Sequence, residues 1–297
     1  MASPTSTPPG TAEATAPPYA APHPSKLFAE VTTACNFRCA MCVKQSGPGI
    51  PDGFMREEVF EKLIPAFPTL DTLILNGIGE PLLHPRLENF VREARKSMTP
   101  GSVIGFQTNG ALLSADRAEK LLAAGTDKIS LSVDASEPDL FRAMREGGEA
   151  GDVNRAAMAL KAAREKTGRE DFTWGAEMVL TKETASELPK VIRWLAERGG
   201  KFLLVTHIMP YDGDALPLVA YDPNVDKTLD IYRERKKEAA EEGLDLSLYY
   251  IAKWRLRPLP RRQEIIDFME GVVREISRKG LPQHMFNLAA HDEEEFS

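Results

Sequence analysis

From Lys26 onward, short apolar segments alternate with amphipathic ones, and that alternation constrains the fold more than any other feature of the chain. Leu27–Thr32, Leu73–Leu75, Val103–Phe106, Ile129–Val133, Glu177–Leu180 and Phe202–Thr206 read as strands. Helical patterns lie between them. Residues 56–67 carry Val59, Phe60, Leu63 and Ile64 at helical spacing, and 86–97 turn Leu87, Phe90, Val91 and Ala94 inward. Further helices are read over 115–124, brokenly over 138–146, over 152–166, and from Ser186 as N-cap, with Leu188, Val191, Ile192 and Leu195 on one face. Six β–α units with near-continuous apolar strands predict an α/β fold: a parallel sheet covered by helices, because parallel strands need crossovers and bury both faces. In such folds the active site lies beyond the C-terminal ends of the strands.

Chemistry-bearing residues collect at that end. Cys35, Cys39 and Cys42, the only cysteines of the chain, form a C-x₃-C-x₂-C loop directly after the first strand. Three thiolates hold three corners of a cubane iron–sulfur cluster and leave the fourth iron open to another ligand. A closed zinc site needs four ligands, and the five histidines are all distant in sequence, so a Cys₃His site would require a long-range partner. An odd number of cysteines on one loop makes no disulfide framework. Gly77-Ile78-Gly79-Glu80-Pro81 follows the second strand, Thr108-Asn109-Gly110 the third, and Asp134 ends the fourth.

At 297 residues and 42% hydrophobic, the chain suffices for one large domain or a domain with an appendage. A net charge of −7 without a basic stripe argues against nucleic acid, and Phe202-Leu203-Leu204-Val205 falls far short of a membrane span. Residues 1–25 hold seven prolines, one acidic residue (Glu13) and no Lys or Arg. They fit neither a secretory signal nor a transit peptide, and read as a disordered tail on a cytoplasmic protein, where reduced thiols suit a cluster.

Together the motifs resemble the radical S-adenosylmethionine (radical SAM) superfamily, and the resemblance covers about residues 26–211. It implies a partial (βα)₆ TIM-like barrel in which Cys35, Cys39 and Cys42 ligate a [4Fe–4S] cluster. The open iron would be chelated by the amino and carboxylate groups of S-adenosyl-L-methionine. Gly79 and Glu80 look like the family's motif for the methionyl amine; Ser132 and Asp134 fall where related sequences place groups near the ribose. Arg145 matches an arginine for the methionyl carboxylate, with Arg142 as the alternative. Asn109 is read either as a ligand contact or as a residue suited to the left-handed turn that an Asn-Gly pair invites. Val179, Leu180, Thr206 and His207 would frame the adenine and the substrate side. Met41 stands where the family commonly has an aromatic residue, and its flexible thioether would pack beside cluster and adenine; Ile78 stands where a glycine is common.

The implied reaction is reductive cleavage of S-adenosylmethionine to a 5′-deoxyadenosyl radical, which abstracts hydrogen from substrate. The electron would come from a flavodoxin- or ferredoxin-type protein. Residues 212–297 read as a charged helical extension, with helices at about 224–242, 260–279 and 283–295. That segment resembles the extension preceding the cysteine-rich auxiliary-cluster domain of SPASM-type maturases, yet no cysteine follows Cys42. The expected substrate is a peptide, a metalloenzyme or its cofactor, or another small molecule. A shortened or partner-dependent iron–sulfur protein without turnover is the alternative.

Overall fold

The computed structural model describes residues 24–45 and 49–208, together with Leu218, Lys237, Glu241 and the backbone of 245–249. The strands are β1 (Lys26–Phe28), β2 (Arg38–Cys39), β3 (Thr72–Ile74), β4 (Val103–Thr108), β5 (Lys128–Ser132), β6 (Arg145–Glu146), β7 (Thr173–Leu180), β8 (Phe202–His207) and β9 (Asp245–Tyr249). The helices are α1 (Glu57–Glu61), α2 (Leu87–Ser97), α3 (Ala115–Ala124), α4 (Pro138–Met144), α5 (Ala150–Thr167) and α6 (Leu188–Glu197). One sheet runs β1-β3-β4-β5-β7-β8-β9, every neighbouring pair parallel. A second, two-stranded piece joins β2 to β6 antiparallel.

The six expected strands are all present and adjacent in chain order. A parallel seventh, β9, lies inside the segment read as a helical extension, where Asp-Leu-Ser-Leu-Tyr carries strand-like alternation. Lys237 and Glu241 are helical, within the helix expected over 224–242. Of the tail expected over 1–25, residues 1–23 lie outside the described residues, as do the helices expected at 260–279 and 283–295, while Ser25 is ordered, its carbonyl accepting from Asp71 N–H (2.7 Å).

Several boundaries differ for local reasons. The helix expected over 56–67 ends at Glu61 and gives way to a 3₁₀ segment over Ile64–Thr69, because Pro65 and Pro68 lack the N–H groups that an α-helix would need. Ser186 lies in a 3₁₀ turn, Ala185–Glu187, and does not cap α6, whose first turn carries Pro189. The first strand is shorter than read: after Phe28 the chain leaves the ladder towards the cysteines.

The sheet is two-faced. Leu73, Ile104, Phe106, Ile129, Leu131, Val133, Trp174, Ala176, Met178, Leu203 and Val205 are buried in one core with Phe90, Val91, Leu121, Leu160, Val191 and Ile192 of the helices. Removing each of the larger apolar side chains among them from water contributes roughly 1.5–3 kcal/mol. The alternate positions face the other way, and the register puts Gln107, Ser130 and Ser132, Glu177, and Thr206 on that opposite face of β4, β5, β7 and β8. The expectation of strands apolar on both faces is therefore corrected: among the described residues the helices pack on the outer face, and the inner face of the half-barrel is largely polar.

Candidate active site at the C-terminal ends of the strands

The cysteine loop is gripped from both sides. On one side Glu80 N–H donates to the Ala34 carbonyl (2.8 Å), and a Cβ at Gly79 would sit 2.2 Å from Thr32 O and 2.6 Å from Ala34 O. Only glycine permits that approach. On the other side β6 pairs with β2, putting Arg145 opposite Cys39, and Ala40 N–H donates to Met144 O (2.9 Å). Gly147, at φ +95°, and Gly148 pack on Asn36 and Phe37, so no side chain intervenes there either. This Gly-Gly pair was not singled out from the sequence.

Within the loop the three cysteines are free thiols, each partly exposed. Cys42 N–H donates to Cys39 O (3.0 Å), closing a turn, and Phe37 N–H points at Cys35 Sγ (3.5 Å). Burial pushes the Cys35 thiol up. The Cys39 thiol rises to about 11, again chiefly through burial, with Arg145 pulling the other way. Met41 is partly exposed on the same loop.

Glu80 is buried, and its carboxylate is a hub. Oε1 accepts from Thr108 Oγ1 (2.6 Å) and Leu82 N–H (3.0 Å), and Oε2 accepts from Asn109 N–H (2.7 Å). Burial drives its pKa upward against the pull of these donors. Asn109 Nδ2 donates to Asn36 Oδ1 (2.9 Å), and its Oδ1 accepts from Ala111 N–H (3.1 Å). The left-handed residue of the Asn-Gly pair is Gly110, at φ +81°, so Asn109 shapes the turn through its side chain and ties the β4 end to the cysteine loop.

At the end of β5, Asp134 has no exposed surface. Arg145 Nε lies 2.7 Å from its Oδ2, and Val179 N–H donates to Oδ1 (2.8 Å). Arg145 is also buried, and its Nη1 donates to Cys39 Sγ at 3.8 Å. Burial opposes the Arg145 charge, but Asp134 and the Cys39 sulfur outweigh it and raise the pKa above the ordinary arginine value. Arg142, the alternative, points outward to Asp139 and Glu149 in exposed pairs. Ser132 accepts from Gln107 Nε2 (3.0 Å). Val179 and Thr206 lie on the inner face, whereas Leu180 is packed in the outer core. His207 ends β8, and its side chain lies outside the described residues.

Two inner-face groups escaped the sequence reading. Glu177 sits beside Ser132 in the β5–β7 register, and burial first, then Asp134, against Arg145 and a Thr206 hydrogen bond, brings its pKa up to about 7. Ser130 Oγ is buried with no hydrogen-bond partner among the described residues. The alternation Ser130-Leu-Ser132-Val-Asp134 carried the signal for the inner row.

Three free thiols on one clamped loop, one beside a buried guanidinium, are a donor set that fits an iron–sulfur cluster held by three cysteines. Comparison with known proteins agrees. Residues 29–195 match the profile of the Radical SAM superfamily. A Pyrococcus furiosus protein described as a tungsten-containing aldehyde ferredoxin oxidoreductase cofactor-modifying protein is 32% identical over 251 residues, covering 83% of this chain and 67% of the relative. An AdoMet-dependent heme synthase of Methanosarcina barkeri is 24% identical over 247 residues, 76% of this chain and 68% of that one. Among solved structures, SuiB of Streptococcus suis bound to S-adenosylmethionine aligns with a TM-score of 0.60 at 13% identity, over 77% of this chain and 50% of SuiB. anSMEcpe with bound AdoMet and a peptide aligns at 0.59 and 22%, over 75% and 62%. The chain thus spans between half and two-thirds of these solved neighbours, and at such identities the likeness concerns the half-barrel fold. With the profile covering more than half of the chain, and the strand ends converging on the cysteine loop, this protein belongs to the radical SAM superfamily of enzymes.

Proposed function

We propose that the chain binds a [4Fe–4S] cluster through Cys35, Cys39 and Cys42 and S-adenosyl-L-methionine beside it, and acts on a peptide, or on a metalloenzyme or its cofactor. The observation that carries this reading is the double clamp on the cysteine loop, by Gly79-Glu80 on one side and Arg145 on the other. The substrate class is supported by the cofactor-modifying description of the Pyrococcus furiosus relative. When bound, cluster and S-adenosylmethionine together supply reductive carbon–sulfur cleavage and a hydrogen-abstracting radical.

The chain's own residues bind, orient and exclude. Glu80 spends three acceptor positions on the loops and keeps one, on Oε2, for an ammonium. Ser132 is assigned to the ribose side, with Asp134 buried behind it as the partner of Arg145, Asn109 and Met41 to the rim next to the cluster, and Val179 to the adenine. The apolar outer core keeps water from the sheet's back, while the inner polar row faces the substrate. Residues 26–211 form the catalytic unit in this reading, the electron comes from a flavodoxin- or ferredoxin-type donor, and a reducing cytoplasm keeps the thiols free. Among the described residues no helix is long and apolar enough to cross a membrane.

Anaerobic reconstitution with iron and sulfide tests the cluster. About four irons and four sulfides per chain are expected, falling to near zero in Cys39→Ala. A single tightly held zinc, or iron content indifferent to Cys39, would overturn the reading.

A further inference from the structure

We infer that Arg145 is a redox-positioning residue for the cluster, its guanidinium hydrogen-bonding the Cys39 sulfur and Asp134 setting how much of its charge that sulfur feels. The inference rests on the cluster assignment above, and departs from the expected role of Arg145 as partner of the methionyl carboxylate.

Three observations carry it. Arg145 and Cys39 are opposite one another in the β2–β6 ladder, so their backbones are fixed together before any ligand arrives. The Arg145 side chain is 8% exposed and reaches both Asp134 Oδ2, at 2.7 Å, and Cys39 Sγ, at 3.8 Å. Asp134 is itself immobilised, since its second oxygen accepts from Val179 N–H on β7. The guanidinium is therefore held by a carboxylate with no exposed surface and aimed at one cysteine of the three.

The electrostatic consequence has a definite sign. Reduction adds negative charge to a cluster, and a buried cation hydrogen-bonded to a ligating sulfur stabilises the reduced form more than the oxidised form. Arg145 thus raises the cluster potential. Asp134, at ion-pair distance, cancels part of that effect. Removing the cation and removing its counter-ion should move the potential in opposite directions, a pattern that a merely architectural role for the pair does not produce.

The test is an electron-paramagnetic-resonance redox titration of the reconstituted full chain without S-adenosylmethionine, comparing wild type with Arg145→Gln, Arg145→Lys and Asp134→Asn at matched iron content. In Arg145→Gln the one-electron reduction constant should fall at least tenfold, about 59 mV towards lower potential. Asp134→Asn should shift it the other way by threefold or more, and Arg145→Lys, which keeps the charge, should stay within threefold of wild type. Potentials unmoved in Arg145→Gln, or shifts of the same sign in Arg145→Gln and Asp134→Asn, would overturn the inference. So would loss of the cluster from all three variants with the fold retained by circular dichroism, which would make the pair purely architectural. Failure of wild type itself to take up a cluster would instead defeat the cluster assignment.

Discussion

Asp127 and Asp134 bracket β5, and each meets an arginine, yet the two ends of the strand are built on different terms. At the N-terminal end Asp127 is paired with both Arg95 and Arg169 and also accepts from Ile104 N–H (2.8 Å). Its side chain is 19% exposed, and Arg95 and Arg169 spend further donors on the carbonyls of Ser102, Gly125 and Leu122. At the C-terminal end Asp134 is fully buried, and one guanidinium serves both it and a cysteine sulfur, with the Glu177 carboxylate in the same field. The first arrangement is a hydrated staple across helix and strand ends. The second concentrates charge in low dielectric, where each group shifts its neighbours, and in barrels of parallel strands that end is where chemistry is found.

The contrast can be broken most forcefully at Gly79. In Gly79→Ala the methyl would collide with the Thr32 and Ala34 carbonyls, so the cysteine loop must move. We expect a loss of about 3 kcal/mol in chemical denaturation together with poor cluster retention. A variant as stable as wild type, with full iron content, would mean that the loop is not clamped there.

Glu177 offers a pH test at the same end. Its folded-state pKa, about 7, lies above the ordinary 4.5 of a free carboxyl, so the folded chain holds this proton more tightly than the unfolded one. That contribution to stability is complete below pH 4.5 and is lost as pH rises towards 7, by about 3 kcal/mol. Burial sets it first, and Arg145, Asp134 and Thr206 are the neighbouring groups that adjust it. In Glu177→Gln the corresponding slope should disappear from urea-denaturation free energies measured between pH 5 and 8. Parallel profiles for variant and wild type would show that Glu177 carries an ordinary pKa.

The smallest effect belongs to the other end. Asp127→Asn removes the charge from a partly hydrated network and leaves the side-chain oxygen facing Ile104 N–H, so it should cost about 1 kcal/mol and leave iron content and cleavage of S-adenosylmethionine unaltered. Loss of cluster chemistry in this variant would erase the distinction between the two ends.

Strand order and the cysteine loop were legible in the sequence because both are local patterns: apolar segments at regular spacing, and three cysteines in one window. Resemblance singled out Asp134 and Arg145, but not that they pair with each other, nor that Arg145 also reaches Cys39. That depends on β2 meeting β6, two residues each and separated by more than a hundred positions, which no periodicity announces. Glu177–Leu180 reads from the sequence as a complete short strand, whereas β7 begins at Thr173 and its alternation of faces from there turns Glu177 inward. Gly79 enters the sequence reading as part of the motif for the methionyl amine; the nearest obstacles to a side chain there are the chain's own carbonyls. The two prolines beyond α1 stand in the sequence beside Val59, Phe60, Leu63 and Ile64, whose helical spacing alone carries the reading over 56–67.

The central claim is that the C-terminal ends of the strands form a working radical SAM site. The direct measurement is 5′-deoxyadenosine, quantified by mass spectrometry after dithionite and S-adenosylmethionine are added to the anaerobically reconstituted chain, with Cys35→Ala in parallel. Product from wild type and none from the variant is the predicted result. A wild-type chain that holds its cluster and yields no 5′-deoxyadenosine would contradict it.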